Sequence, residues 1–401
     1  MTVGKADLGY RTMQIYLDYS ATTPTRPESI AAIQQALTAA WGNPSSLHQW
    51  GERSALLLEK ARLQVAALIN GDPSGIVFTS GGTESNNLAL LGVANTYDQP
   101  QHLIISSVEH AAISQPAAWL QSQGWLITIL PVDHYGCVSP ADLQAALRPN
   151  TALVSIIYGQ SEVGTIQPIA SLAAICQAAG VLFHTDAIQA VGRIPIDVQS
   201  LGIDLLSLSG HKFYGGGGVG ALYIKPVLKI SPLLWGGGQE LGLRSGTPPT
   251  AQIAGLGVAA ELAAAEIVTE MPRLVRLRDR LFQLLADRSR SVSGGNLDLK
   301  PTGHPTQRLP HHLSFCLPAG ITGRQIVRSM NLAGIGISAG SACSSGRSNP
   351  SAVLLAMGFD SEMAIGGIRI TLGQLTTAAD IDWTAMVLGQ IIETASITNI
   401  K

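Results

Sequence analysis

VLFHTDAIQAVG (181–192) and LLSLSGHK (205–212) decide the fold. Each opens on an apolar run too short for a helix and closes on polar residues, Asp186 in the first, Ser209, His211 and Lys212 in the second. A short run that is apolar without alternation reads as a strand buried on both faces of a parallel sheet. Working outward, the pattern recurs at 76–79, 103–106, 126–130, 152–158 and 220–224, with helix-period stretches at 111–123, 141–147 and 169–179 between the runs. Strands alternating with helices in this way predict an α/β sheet covered by helices. After Pro248 and Pro249 the texture changes. A helical stretch from about 250 to 288 leads to a Ser/Gly/Pro-rich surface loop (291–310), a strand (312–317), a helix (323–331), a small-residue loop, a strand (368–372) and a closing helix. The expected organisation is a large α/β domain over 15–255 and a smaller α+β domain built from 1–14 and 256–401.

The composition excludes several classes. The chain has 401 residues, only 13% of them charged, with 25 Lys+Arg against 27 Asp+Glu and a net charge of -2. No basic block supplies the phosphate neutralisation that nucleic-acid binding needs. The four cysteines, at 137, 176, 316 and 343, lack metal-ligand spacing and are too few for a disulfide scaffold, so no metal is expected and a reducing, cytoplasmic setting is. The N-terminus carries no apolar run of the length a signal peptide needs. The most apolar stretch, 251–268, is interrupted by Gln252, Glu261 and Glu266, which argues against a membrane span. A mean hydropathy of +0.25 with so few charges predicts a surface partly covered by self-association.

Ligands of open α/β sheets collect beyond the carboxyl ends of the strands, and four ends here carry chemistry. After 76–79 comes Ser80-Gly81-Gly82-Thr83-Glu84 and a helix, whose glycines and free amides make a cradle for a phosphate. Asp186 ends a buried run, where a carboxylate needs a cationic or hydrogen-bonding partner, and Gln189 lies one turn further on. Lys212 ends another, where desolvation and nearby cations can release its proton and make it a nucleophile. Glu109-His110 follows the run 103–106, with an imidazole able to stack over a planar ligand. Singly, each has a structural alternative: a tight turn, a helix cap, a lysine reaching to water, a satisfied histidine. Together they are the four groups that pyridoxal 5'-phosphate needs: a phosphate cradle, an acid for the ring nitrogen, a lysine for the Schiff base and a stacking ring.

From about Tyr16 to Thr377 the sequence resembles the cysteine desulfurases of the nitrogen-fixation and iron-sulfur-cluster class, which are fold type I pyridoxal-phosphate enzymes. The blocks that carry the resemblance are LDYSATTP (17–24), GNPSSLH (42–48), TSGGTESNN (79–87), EH (109–110), EVGTIQPI (162–169), HTDAIQAVG (184–192), SGHK (209–212), RSGT (244–247), GSACSS (340–345) and IRITLG (368–373). The fold this implies is aspartate aminotransferase-like, with a mixed, mostly parallel seven-stranded sheet in the large domain and a smaller domain carrying the catalytic cysteine.

The resemblance makes Lys212 the Schiff-base lysine, Asp186 the partner of the ring nitrogen, Gln189 the partner of the ring hydroxyl and His110 the catalytic ring over the cofactor face. It gives the phosphate to Gly82, Thr83, Ser209 and His211, with Thr247 offered to the neighbouring subunit of a homodimer. It gives the substrate to Arg369, whose fork suits a carboxylate, and to Asn43. Cys343 is implied as the cysteine that takes the sulfur. The residues agree on Cys343: the stretch 338–348 has no apolar pattern and reads as a mobile loop with an accessible thiol, and Arg347 favours the thiolate. Cys176 and Cys316 read as inert core. Two departures from the family pattern stand out. Gln160-Ser161 replaces the usual Asn-Asn, leaving the shorter Ser161 near the cofactor, and Gly215–Gly218 replaces a Gly-Pro-Lys-Gly turn.

The expected reaction converts L-cysteine to L-alanine and leaves a persulfide on Cys343 for an iron-sulfur scaffold or another sulfur-carrier protein. The alternatives are a pyridoxal-phosphate lyase or aminotransferase that uses no cysteine, against which the GSAC block argues, and a non-catalytic relative, against which Lys212 and Asp186 argue.

Overall fold

The computed structural model describes residues 14–291, 299–340 and 349–398. The seven apolar runs lie in one sheet in the spatial order Ile76–Thr79, Gly220–Ile224, Leu205–Ser209, Leu182–Asp186, Thr151–Ile157, His102–Ser106, Leu126–Leu130. Six strands point the same way, and Gly220–Ile224 runs antiparallel to both neighbours. Asp186 is itself the last residue of its strand, in register with Ile157 on one side and Ser207 on the other.

Both faces are covered, which is why the apolar residues of these runs do not alternate with exposed polar ones. Leu103, Ile105, Leu153 and Leu222 pack against Leu88, Val93, Ile113 and Leu120 of the helices Gly82–Ala94 and Ala111–Ser122. On the other face Ile104, Val154, Phe183 and Leu208 meet Leu172 of Ile169–Ala178 and Ile253 and Leu256 of Thr250–Ser291. Each such side chain contributes roughly 1.5–3 kcal/mol. Two helices that the sequence reading did not anticipate, Pro27–Ala39 and Gln49–Leu68, lie against Thr250–Ser291. The inward face of Gln49–Leu68 includes Gly51, Ser54 and Ala61, and small residues of this kind carry little hydrophobic signal.

The helix Thr250–Ser291 is long and apolar enough, by length and composition, to cross a membrane, yet half of that apolar window is buried inside the protein. Its first half supplies Ile253, Leu256 and Ala260 to the large core, and its second half supplies Leu274, Leu281 and Leu285 to a separate one. That second core surrounds an antiparallel sheet in the order Ser338–Ala339, Gly367–Thr371, His312–Cys316, Lys300–Pro301. It also contains Ile15 and Leu17, and Ile15–Tyr16 pairs in parallel with Ile335–Gly336. Cys343 and Arg347 lie outside the described residues, as do part of the expected 291–310 loop and residues 1–13.

Two local features place the site. The turn before Gly82–Ala94 needs glycine at Gly81, where φ is 151°. Beneath it, a Cβ on Gly220 would stand 2.8 Å from the backbone of Gly81, so the cradle rests on bare backbone.

Candidate active site

The carboxyl ends of these strands open into a cavity of about 540 Å³. Gly82, Thr83, Ser209 and His211 line one part of it. The first amides of the helix Gly82–Ala94 have no partner within the helix, and hydroxyls and an imidazole surround them. Burial, aided by the charge of Lys212, pulls the His211 imidazole down to about 4, so it is neutral near pH 7. Its Nδ1 lies 3.1 Å from Thr22 Oγ1. Glu84 in the same turn accepts from the Ser80 amide at 2.8 Å and pairs with Arg244 at 3.0 Å, which ties the cradle to the RSGT block.

Asp186, 3% exposed, lines the middle of the cavity. Burial pushes its carboxyl up, against hydrogen bonds from the Ile188 amide and Asn86 and the charges of His110 and Lys212. Asn86 Nδ2 donates to Oδ2 at 2.7 Å and Ile188 N to Oδ1 at 3.1 Å. On the same strand, His184 is shared between Ser155 Oγ at 2.8 Å and Ser207 Oγ at 3.0 Å, and burial holds it near 3. That histidine adds no charge. Lys212 Nζ donates to the carbonyls of Ser20 at 2.6 Å and Ala21 at 2.8 Å. Gln189 Nε2 donates to the same Ser20 carbonyl at 2.8 Å. His110 caps the helix Ala111–Ser122, its Nδ1 accepting from Ala112 N at 3.1 Å, and lines the cavity as well. This histidine is thus both a helix cap and part of the cavity wall.

Arg369, 3% exposed, reaches the cavity from the smaller sheet. Its NH2 pairs with Asp18 at 2.8 Å, its NH1 donates to the Ser161 carbonyl at 3.0 Å, and its Nε is buried without a partner. Gln160 organises the adjoining turn, its Oε1 accepting from the amides of Glu162 at 2.5 Å and Val163 at 3.1 Å. Ser161 therefore presents its side chain from a fixed backbone.

Three groups inside quoted blocks were given no role of their own by the sequence: Asn86, behind the cavity, and Glu109 and Glu162, which line it. Asn86 holds Asp186. Glu109 accepts from Ser106 Oγ at 2.5 Å and from Ile157 N at 2.9 Å, leaves Oε2 buried without a partner, and is pushed up to about 8 by burial. Glu162 accepts from Ser351 Oγ at 2.6 Å and is pushed up to about 7, again by burial. Asn86 could have been found as a polar side chain on the inward face of its helix, whereas Glu109 and Glu162 stand in the turns that follow strands and carry no periodic signal.

Asn43 and Thr247 do not line this cavity; both are exposed, and Asn43 Oδ1 accepts from Ser45 N at 3.0 Å. Burial holds the thiols of Cys176 and Cys316 at about 12 and Cys137 at about 11. None of these three is poised as a thiolate nucleophile. In the Gly215–Gly218 run, Gly216 and Gly218 have φ of 87° and 77°, a conformation that favours glycine at both.

The model of the aminotransferase class-V family matches residues 15–383. A cysteine desulfurase IscS from Dictyoglomus turgidum is 45% identical over 95% of this chain and 95% of its own length. The cysteine desulfurase of Mus musculus is 42% identical over 92% of this chain and 80% of its own. Among solved structures, a NifS-like protein superposes with a TM-score of 0.87 at 34% identity, covering 96% of this chain and all 100% of the other. SspA in complex with cysteine superposes with a TM-score of 0.78 at 34% identity, over 89% and 98% of the two chains.

Proposed function

The chain belongs to the class-V aminotransferase family, among its pyridoxal-phosphate-dependent cysteine desulfurases, and on that premise we propose how its residues carry out the reaction. The donor set of the cavity fits the cofactor: free helix amides and hydroxyls for a phosphate, a buried carboxylate for a ring nitrogen, a lysine amine beside them. Gly82, Thr83, Ser209 and His211 hold the phosphate, Asp186 the ring nitrogen, Gln189 the ring hydroxyl, with His110 on the ring face and Ser161 at its edge. When bound, the cofactor supplies an electron sink for charge left on the substrate's α-carbon. Arg369 receives the substrate carboxylate, and its buried, unpartnered Nε is the observation that carries this assignment.

Lys212 Nζ holds the cofactor in the resting enzyme and, once displaced by the substrate amine, takes the α-proton and returns it. Cys343 Sγ, as thiolate, attacks the substrate sulfur. The new S–S bond forms as the substrate's C–S bond breaks. The carbon keeps that electron pair and gains a proton, so the products are L-alanine and a persulfide on Cys343.

The persulfide then passes to an iron-sulfur scaffold or another sulfur carrier in the cytoplasm. The reducing setting is supported by Cys137, Cys176 and Cys316, all free. Homodimer formation is supported by exposed Trp41 and Leu47 around Asn43, and by exposed Trp235 and Leu241 on the stretch leading to Thr247. In a dimer Thr247 meets the partner's phosphate site and Asn43 the substrate. A domain division near 255 passes through the continuous helix Thr250–Ser291. Sedimentation tests the dimer, and a fully active monomer overturns it. The decisive experiment incubates protein, pyridoxal phosphate and L-cysteine and measures alanine and sulfur release. Lys212→Ala should give a folded, colourless, inactive protein; retained cofactor absorbance in that variant refutes the lysine's role.

A further inference from the structure

Glu162 lines the same cavity as Arg369, and its surroundings are those of a group that changes state with the ligand. Ser351 Oγ, capping the helix Ala352–Ala356, donates to Oε2 at 2.6 Å. Gly340 also approaches closely: a Cβ there would stand 3.3 Å from the same Oε2. Among the described residues the cation acting on it is Arg369, from the strand Gly367–Thr371. That guanidinium is already shared with Asp18 and with the Ser161 carbonyl, which also meets His312 Nε2 at 3.0 Å. Burial and neighbouring arginines keep His312 neutral, well below its ordinary value. One guanidinium thus pairs with Asp18 and lines the same cavity as a second carboxyl group, Glu162, before any substrate arrives.

Building on the assignment of Arg369 to the substrate carboxylate, we propose that Glu162 is a proton-linked specificity residue that must be protonated for an amino acid carboxylate to bind well. With Asp18 on the guanidinium and Glu162 in the same cavity, a third carboxylate is disfavoured unless one of the three is neutral. Asp18 is committed to Arg369 by direct contact, whereas Glu162 is the member held by a neutral hydroxyl. Its position near 7, raised by burial against Ser351 and Arg369, puts the exchange within reach of physiological pH. Binding a carboxylate draws off the favourable field of Arg369, so Glu162 gains a proton from solvent. By linkage the same coupling makes affinity fall as pH rises through the Glu162 transition. Ligands without a carboxylate lack the coupling.

The test is the dissociation constant of L-alanine for the holoenzyme, read from the cofactor absorbance without turnover, from pH 6 to 8.5 in wild type and Glu162→Gln. Taking the ratio of the two proteins at each pH cancels the titration of ligand amine and lysine. The wild-type to variant ratio should climb by about tenfold between pH 6 and 8, and should stay flat for alaninamide. Ser351→Ala, which keeps Glu162 but removes the donor to its ionised form, should move the climb to higher pH. A pH-independent ratio for alanine, or equal slopes for alanine and alaninamide, overturns the proposal while leaving Arg369 in place. If alanine perturbs neither protein at any pH, the substrate assignment falls and the proposal falls with it.

Discussion

Asn86 Nδ2 lies 2.7 Å from Asp186 Oδ2, so the helix that begins at the proposed phosphate cradle also holds the carboxylate proposed for the ring nitrogen. One element thereby sets the separation of the two proposed cofactor contacts.

Asn86→Ala should weaken pyridoxal phosphate binding by about ten- to a hundredfold, the range for a lost hydrogen bond to a charged group. Fluorescence titration of the apoprotein measures it. Unchanged affinity would mean that Asp186 is held well enough by the Ile188 amide.

Glu109 gives a pH signature of the apoprotein. Its carboxyl is pushed from 4.5 up to about 8 by burial, with the Asp186 charge adding to the rise. The folded state therefore keeps a proton that the unfolded chain releases above its ordinary value, and stability falls as pH rises from about 4.5 to 8. Glu109→Gln should flatten this slope, a difference on the order of a few kcal/mol at pH 8. Urea midpoints at pH 5 and 8 decide it, and parallel slopes in both proteins would exclude a protonated Glu109.

Ser161→Asn should shift the cofactor spectrum or the apparent affinity for cysteine with little change in stability, because Arg369 already fixes the backbone through the Ser161 carbonyl. If neither parameter moves, the side chain at 161 does not reach the ring or the substrate.

Cys343→Ala should keep the yellow cofactor colour and still bind cysteine, while sulfur transfer drops by orders of magnitude. After incubation of wild type with cysteine, an added mass of about 32 Da, one sulfur atom, should map to Cys343. Finding that mass chiefly on Cys137, Cys176 or Cys316 would reverse the assignment.

The sheet was legible because the central strands are short, mostly apolar runs without alternation, and the ends of those runs gave Asp186, Ser209, His211 and Lys212. The antiparallel course of Gly220–Ile224 was not visible in its residues, since direction is set by the connection and not by composition. Lys212 was read as a nucleophile, but its contacts to the Ser20 and Ala21 carbonyls join positions about 190 residues apart, and no local pattern announces such a meeting. Arg369 could be assigned by resemblance, whereas its sharing between Asp18 and Ser161 required two more distant segments to come together. Glu109 and Glu162 were quoted but given no role of their own, because a carboxyl beside a strand end looks solvated until the neighbouring elements enclose it.

The contact of Gly220 with Gly81 bears on how this catalyst can diverge. A Cβ at position 220 would press on the Leu208 carbonyl and on the Gly81 turn above it, so the end of the cavity proposed to hold an anion cannot be retuned by small steps there. The walls are different: Ser161 and Glu162 sit on a turn held from outside by Gln160, where one residue can change and the turn persist. A lineage that explores new amino acid substrates is thus channelled toward the Arg369 side, with the phosphate end inherited intact.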